Sequence, residues 1–227
     1  MEEKRKSHPL IPICVVLMAL LLGMTVLSVM MWRRKTKAEK EAIEYKTSYE
    51  NLVEENKKAE QAAKEEKEKT KQKADDYQAA YNTLVSYMLE DAVLAENIGN
   101  LVVKVWHNAI WSIADEETDK FTKKNGKFVT DFNDALAALF ADDEFSKKCT
   151  ALAANQRQVK DEMKNMLNPP EEYEYAFKAL ESMYNSYITF TNIVLNCDGS
   201  LESFSNDFGE ADDELIQKYH SAELYVK

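Results

Sequence analysis

The chain has 227 residues, a formal net charge of −11 and an apolar fraction of 45%, which allows one or two domains. Its five glycines are scattered, so no glycine-rich phosphate-binding loop is present. Residues 1–40 hold eight Lys or Arg and three Glu, whereas the other 187 residues hold 21 basic and 37 acidic residues. Such an acidic part would repel phosphate backbones, and we therefore expect no nucleic-acid partner.

A long apolar run, residues 10–32, follows a short basic tail at residues 1–9. The run has 23 residues without a charge, and about 20 apolar residues in a helix are enough to cross a bilayer core of about 30 Å. A cleaved signal peptide would have an apolar region of only about 7–15 residues and then a small-residue cleavage site. The sequence therefore predicts an uncleaved transmembrane helix over residues 10–32, with the lipid bilayer as its partner.

The stretch that follows the apolar run is highly charged and lacks helix breakers. Residues 24–98 contain no glycine or proline, which favours an uninterrupted helix. Residues 54–76 carry eight acids and seven lysines, and pairs such as Glu54–Lys58 stand in the order that stabilises a helix. We therefore predict a charged helical stalk over residues 33–76.

A stripe of residues spaced by three and four also runs along this stretch, and such spacing places its members on one helix face. The middle of the stripe is polar at Glu66, Thr70 and Lys73, which favours a solvated single helix. The alternative is a weak parallel coiled coil, and hence a homodimer through the stalk. The stripe includes Ala42, Tyr45, Tyr49, Leu52, Tyr77, Ala80, Leu84, Tyr87, Asp91, Leu94 and Ile98.

Aromatic and aliphatic residues become denser from Tyr77 onward, which predicts a helical bundle over residues 77–227. Its first helix is expected to end near Asp115, and a loop that turns at Asn125-Gly126 follows. The next segment, to about Leu167, forms one helix or two, with a break in the stretch "ADDEF".

The last two predicted helices have clear local signals at their ends. The stretch "NPPEE" predicts a helix start with Asn168 as the cap. The stretch "CDGS" predicts a helix stop at Gly199 and a new cap at Ser200. We find no alternating run that predicts a strand. The predicted fold class is all-α: an N-terminal transmembrane helix, a long charged helical stalk, and an antiparallel four- to five-helix bundle.

No residue pattern points to catalysis or to a metal. Three residues before His107 and His220 stand Lys104 and Gln217, so the Glu-x-x-His pair of helical di-metal proteins is absent, and both histidines are interpreted as structural. No serine or cysteine lies in a recognisable nucleophile motif. We therefore predict no catalytic, cofactor-binding or metal-binding residue, no cofactor, and no enzymatic activity.

The three cysteines leave one question open. Cys14 falls in the apolar run, where it acts as an apolar side chain. Cys149 and Cys197 fall in the acidic part and could form one disulfide if that part faces an oxidising space. The alternative is two separate buried thiols.

Two segments carry a resemblance: "VWHNAIWSIADEETDKFTKKNGKFVTDFNDALAALFADDEF" and "NPPEEYEYAFKALESMYNSYITFTNIVLNCDGSLESFSNDF". They resemble uncharacterised helical proteins of Gram-positive bacteria that are anchored by a lipoprotein signal or a single membrane span. The resemblance covers residues 77–227 and implies a bacterial, envelope-associated protein, with no activity attached. The layout of anchor and bundle is also similar to that of LemA-type proteins.

Basic residues flank the apolar run on both sides, with five Lys or Arg after it and three before it. The positive-inside rule places the larger group in the cytoplasm, whereas a basic tail before an apolar run is typical of an export signal, and the resemblance also favours the outside. We expect an extracytoplasmic bundle on a single-pass cell-membrane protein. Its predicted function is to bind or scaffold an unknown protein partner; the alternative is a small-molecule sensor or an enzyme with a pocket between the helices.

Overall fold

The computed structural model describes residues 10–227, and side chains from residue 14 onward. The basic tail predicted at residues 1–9 lies outside the described residues. The described chain is mostly helical, which confirms the all-α prediction at that level. Its α-helices are α1 (Leu10–Trp111), α2 (Asp119–Thr122), α3 (Phe132–Phe140), α4 (Asp143–Asn165), α5 (Glu174–Leu195) and α6 (Leu201–Glu223), and a 3-10 turn (Glu171–Tyr173) precedes α5.

The chain divides into two compact units, one that ends at Glu68 and one that comprises Lys69–Lys227. In the described part of the first unit, nearly all side chains are exposed. Two ion pairs with the predicted Glu-before-Lys order form there, Glu54–Lys58 at 2.8 Å and Glu60–Lys64 at 3.0 Å. Exposed pairs of this kind contribute about 0.3–0.5 kcal/mol each to helix stability.

The beginning of α1 is apolar enough to cross a membrane. Its most apolar window of 18 residues has a mean hydropathy of 2.5, and none of that window is buried in protein. Leu22 is 66% exposed and Trp32 is 67% exposed. Exposed side chains of this size are unfavourable in water and favourable in lipid. This segment is therefore the one candidate membrane span within the described residues.

The core of the second unit draws side chains from all six α-helices of the described chain. Along α1, Tyr81, Met88 and Ala95 are fully buried, although all three lie one position away from the predicted stripe. Of the stripe itself, Tyr77, Leu84 and Ile98 are buried and Tyr87 is 39% exposed. The buried face of α1 is therefore rotated relative to the stripe, which leaves part of the stripe at the surface.

Helix α1 ends at Trp111 with a Schellman-type motif rather than near Asp115. The amide of Ile113 donates to the carbonyl of Asn108 at 3.0 Å, and Ser112 between them has a φ of 51°. This left-handed position usually holds glycine, because a Cβ atom costs about 1–2 kcal/mol there. Ser112 therefore places local strain at the end of α1.

We expect Ser112→Gly to raise the free energy of unfolding by about 1 kcal/mol, because glycine adopts this conformation without the steric cost. Urea unfolding of the full chain in a non-ionic detergent measures the change. Ser112→Ala is the matched control, since it keeps the Cβ atom and should give no gain. Equal stability of the two variants would contradict the strain at this position.

The loop predicted after α1 contains a small hairpin, which corrects the absence of strands in the sequence analysis. Two-residue strands β1 (Lys123–Lys124) and β2 (Lys127–Phe128) pair antiparallel. The turn falls at Asn125-Gly126, as predicted, with φ angles of 52° and 75°. Positive φ angles at both positions are typical of a type I′ turn, which favours Asn-Gly. The strands were missed because they are too short to show an alternating pattern.

Most of the other predicted boundaries are confirmed. The segment after the hairpin forms two helices, and Asp142 caps α4 by accepting a hydrogen bond from the amide of Phe145. Gly199 has a φ of 81° after α5, and Ser200 caps α6 in a capping box. The prediction for Asn168 is wrong, because Asn168 has a φ of 68° and makes no cap. Asparagine tolerates the left-handed conformation, so it turns the chain after α4.

A candidate binding groove between α1 and α4

An open groove runs between α1 and α4 within the second unit. Its wider part, about 520 Å³, is lined by residues from Lys73 to Tyr87 of α1 and by the end of α4. Its narrower part, about 270 Å³, begins at Tyr87 and reaches Asp91 of α1 and Asn155 of α4. Tyr87 lines both parts, so they meet at its ring. We call this feature the α1/α4 groove.

The groove follows the helical periodicity of both walls. On α1 its lining includes Lys73, Tyr77, Ala80, Leu84, Tyr87 and Asp91, which is the stripe that the sequence spacing places on one face. On α4 the lining residues also recur every three or four positions, from Asn155 to Met166. Residues at such intervals share one face of a helix, so each helix turns one continuous face toward the groove.

Hydrogen bonds between α1 and the α4 segment lie at both ends of the groove. At one end, the Tyr77 hydroxyl donates to the carbonyl of Met166, just after α4, at 3.3 Å. At the other end, the Asn155 amide donates to Asp91 at 2.6 Å. These contacts hold the two helices together while the groove between them stays open. The walls are therefore preorganised rather than formed only when a ligand arrives.

Asp91 is the most deeply buried carboxylate of the site, with only 5% of its surface exposed. Its Oδ1 atom accepts from the Asn155 amide at 2.6 Å, and its Oδ2 atom accepts from the Tyr187 hydroxyl at 2.9 Å. Tyr187 belongs to α5 and is fully buried. One carboxylate thus links three helices, and its partners satisfy hydrogen bonds that burial would otherwise leave unmade.

Burial sets the protonation behaviour of this cluster. It raises the pKa of Asp91, although the hydrogen bonds from Asn155 and Tyr187 oppose the rise, and the charge of Glu90 adds to it. Burial also raises the pKa of the Tyr187 hydroxyl, and the nearby Asp91 carboxylate raises it further. The tyrosine therefore stays protonated and acts as a hydrogen-bond donor to the carboxylate.

The chemistry of the site suits binding. Its lining offers carboxylates, amides and an exposed aromatic ring. Among the side chains of residues 14–227, no three His, Cys, Asp or Glu residues cluster as metal ligands. The groove can therefore hold a ligand by shape, charge and hydrogen bonding.

His107, His220, Cys149 and Cys197 do not line the groove. His107 is exposed on α1, and its ring lies 4.5 Å from that of Trp111. His220 is exposed on α6, and its Nδ1 atom lies 3.5 Å from Glu223. Cys149 and Cys197 are half-buried free thiols. Burial raises the pKa of both, that of Cys197 to about 11, so neither is a thiolate near neutral pH.

Sequence analysis did not single out Asp91 as a site residue, although a signal was present. Asp91 occupies a position of the stripe at which the neighbouring members, Tyr87 and Leu94, are aromatic and aliphatic. A carboxylate at such a position is expected to be buried and to have hydrogen-bond partners. Its partners Asn155 and Tyr187 are 64 and 96 residues away, so no local pattern identifies them.

The described chain is thus mostly helical, with one candidate membrane-spanning segment and an open groove in its second unit. Comparisons with protein families, with curated proteins and with solved structures found no match. The resemblance to anchored envelope proteins of Gram-positive bacteria therefore stays a prediction.

Proposed function

We propose that the chain is a single-pass membrane protein of the bacterial cell envelope. In this proposal residues 10–32 cross the bilayer, residues 33–76 form a charged helical stalk, and the helical bundle of residues 77–227 binds or scaffolds a protein partner. The observation that carries the binding function is the α1/α4 groove, which is long, open and lined by an exposed tyrosine over buried apolar residues. Tyrosine is enriched in protein interfaces because it supplies a large contact area and a polar group.

A small-molecule sensor or an enzyme is the alternative, and the same groove supports it. The volume of the wider part, about 520 Å³, falls within the range of about 300–1,000 Å³ that is typical of small-ligand sites. We favour a protein partner, because the groove extends along several turns of two helices.

We expect a photo-crosslinking amino acid at position 87 to capture a protein partner in intact cells, because Tyr87 is 39% exposed and lies where both parts of the groove meet. Position 175 is the matched control, since Tyr175 is 74% exposed but does not line the groove. The measurement is the mass of the adduct and the identity of its crosslinked peptide. Adducts that are equal at both positions, or absent at position 87, would contradict the proposed use of the groove.

The proposed membrane topology predicts a labelling result. In intact cells, a membrane-impermeant thiol reagent should label a single cysteine introduced as Lys124→Cys, because Lys124 is exposed at the hairpin and the bundle is proposed to lie outside. The native cysteines are replaced in this variant. A second variant that also lacks residues 10–32 should be found in the soluble fraction rather than with the membranes after cell fractionation. Labelling only after lysis would reverse the orientation, in agreement with the positive-inside rule.

We also propose that two copies pair through the stalk. Ile43, Tyr45, Tyr49 and Leu52 are all more than half exposed, and three of them belong to the predicted stripe. Pairing two such stripes would remove apolar side chains from water. A homodimer would present two grooves from one site on the membrane and would strengthen binding to a partner with two matching segments.

A further inference from the structure

We infer that the α1/α4 groove receives a basic amphipathic segment of a partner protein, with one Lys or Arg side chain of that segment beside Asp91. This inference rests on the proposed binding function and adds the chemical class of the partner. It follows from the charge of the groove, from its apolar floor and from the hydrogen-bonding capacity of Asp91.

The groove is acidic, and few basic side chains of the protein balance its carboxylates. Its lining contains the carboxylates of Asp76, Glu90, Asp91 and Glu162 and a single basic residue, Lys73. None of the four carboxylates forms an ion pair within the described part of the chain. Lys73 lies at the opposite end of the groove from Asp91, about 27 Å away along α1 at 1.5 Å per residue. A cationic partner would supply the missing charge.

The floor of the groove is apolar and suits one side of a helix. Tyr77, Leu84, Val159 and Met166 line it and are each less than 10% exposed. From Tyr77 to Asp91 the groove extends along about 21 Å of α1, which matches an amphipathic helix of about 14 residues. Recognition of this kind places apolar residues at intervals of three and four in the groove, with charged residues at its rim.

The narrow part of the groove can accommodate a cationic group. Each Asp91 oxygen accepts one hydrogen bond from the protein, and a carboxylate oxygen can accept two. Glu90 lies beside it, and the half-exposed ring of Tyr87 offers a face for a cation–π contact. A Lys or Arg side chain would thus meet two carboxylates and an aromatic ring at a site of about 270 Å³.

The test measures binding of two synthetic 16-residue peptides to the full chain in nanodiscs of zwitterionic phosphatidylcholine. Both peptides carry the same leucine positions, and their charged positions are all Lys in one and all Glu in the other. Fluorescence anisotropy should show binding of the Lys peptide and none of the Glu peptide. The variant Glu90→Gln/Glu162→Gln should weaken binding of the Lys peptide by at least tenfold, because two carboxylates of the groove lose their charge.

The matched control is Glu210→Gln/Glu214→Gln, which removes the same charge from exposed positions of α6 and should change affinity by less than threefold. Equal weakening by the two double variants would show general attraction to an acidic surface and would overturn the inference, as would unchanged binding in both. Binding that empty nanodiscs reproduce would count against it too. The proposed function would survive these results if the crosslink at position 87 still formed, with a segment that is not basic.

Discussion

Gly99→Ala is expected to lower the free energy of unfolding by up to about 2 kcal/mol, although alanine is the better helix former. A Cβ atom at position 99 of α1 would lie within 3.0 Å of three ring carbons of Phe208 in α6. Overpacking of this kind costs about 1–3 kcal/mol, whereas the gain in helix propensity is about 1 kcal/mol. Steric overlap therefore outweighs propensity.

The ring of Phe208 has little freedom to move away from an added methyl group. It stacks on Phe190 at 5.4 Å and on Phe204 at 6.0 Å between ring centroids, and Phe208 is only 8% exposed. We therefore expect the clash to be relieved only by a change at Phe208 itself. In the double variant Gly99→Ala/Phe208→Leu, the loss should be smaller than the sum of the single losses by about 1 kcal/mol or more.

Gly209 provides the matched control for this experiment, because it also lies in a helix but has no atom within 4 Å of an added Cβ. Gly209→Ala should raise the free energy of unfolding by about 1 kcal/mol through helix propensity alone. Urea unfolding of the full chain in a non-ionic detergent gives both values. A gain for both variants would mean that α1 and α6 do not approach as closely at Gly99 as the structure has them.

Gly99 illustrates which parts of the fold the sequence can predict. Gly199, Ser200 and the Asn125-Gly126 turn were predicted correctly, because each acts on backbone conformation within a few residues. Gly99 gives no such signal, because it lies inside a helix. The side chain that leaves no room for a Cβ atom there is Phe208, about a hundred residues later in the chain. Close approach between helices depends on their tertiary arrangement, which no local window contains.

The stripe on α1 shows a second limit of the same kind. Its spacing correctly predicts one helix face, but spacing alone does not say whether the face packs against the same chain, pairs with a second copy or stays open. In the second unit this face lines a groove, so Tyr87 is partly exposed while Leu84 is buried. The prediction of Asn168 as a cap failed for a related reason, because asparagine favours both a cap and a left-handed turn.

Loss of the Tyr187 hydroxyl in Tyr187→Phe is expected to lower the free energy of unfolding by about 1–3 kcal/mol. Tyr187 is fully buried and donates to Asp91 at 2.9 Å. Without that donor, one oxygen of a buried carboxylate has no protein partner, and a buried acceptor without a partner costs about this amount. Tyr184→Phe is the control, since Tyr184 has no hydrogen bond to Asp91 and lies in the same helix.

Asp91→Asn should behave differently, because the amide keeps an acceptor for Asn155 and removes the buried charge. The Tyr187 hydroxyl can accept a hydrogen bond as well as donate one, so the asparagine amide retains a partner on that side. We therefore expect this variant to be at least as stable as the wild type at pH 7. Asp91→Ala, which leaves the Tyr187 hydroxyl without its acceptor, should instead be destabilised by about 1–3 kcal/mol.

The pH dependence separates the charge of Asp91 from its hydrogen bonds. Burial raises the pKa of Asp91 in the folded state above the value of about 3.9 for an exposed aspartate. Between those two values the folded state holds a proton that the unfolded state has released, so the wild-type free energy of unfolding falls as pH rises through this window. Asparagine does not titrate, and the advantage of Asp91→Asn over the wild type should therefore be smallest below about pH 4. It should grow as pH rises and level off above the folded pKa of Asp91.

Other groups, such as Asp212, whose pKa burial also raises, are common to both proteins and cancel in the difference. Urea unfolding of both proteins between pH 3.5 and pH 8 measures that difference, and a difference that stays constant with pH would mean that burial does not govern the charge of Asp91.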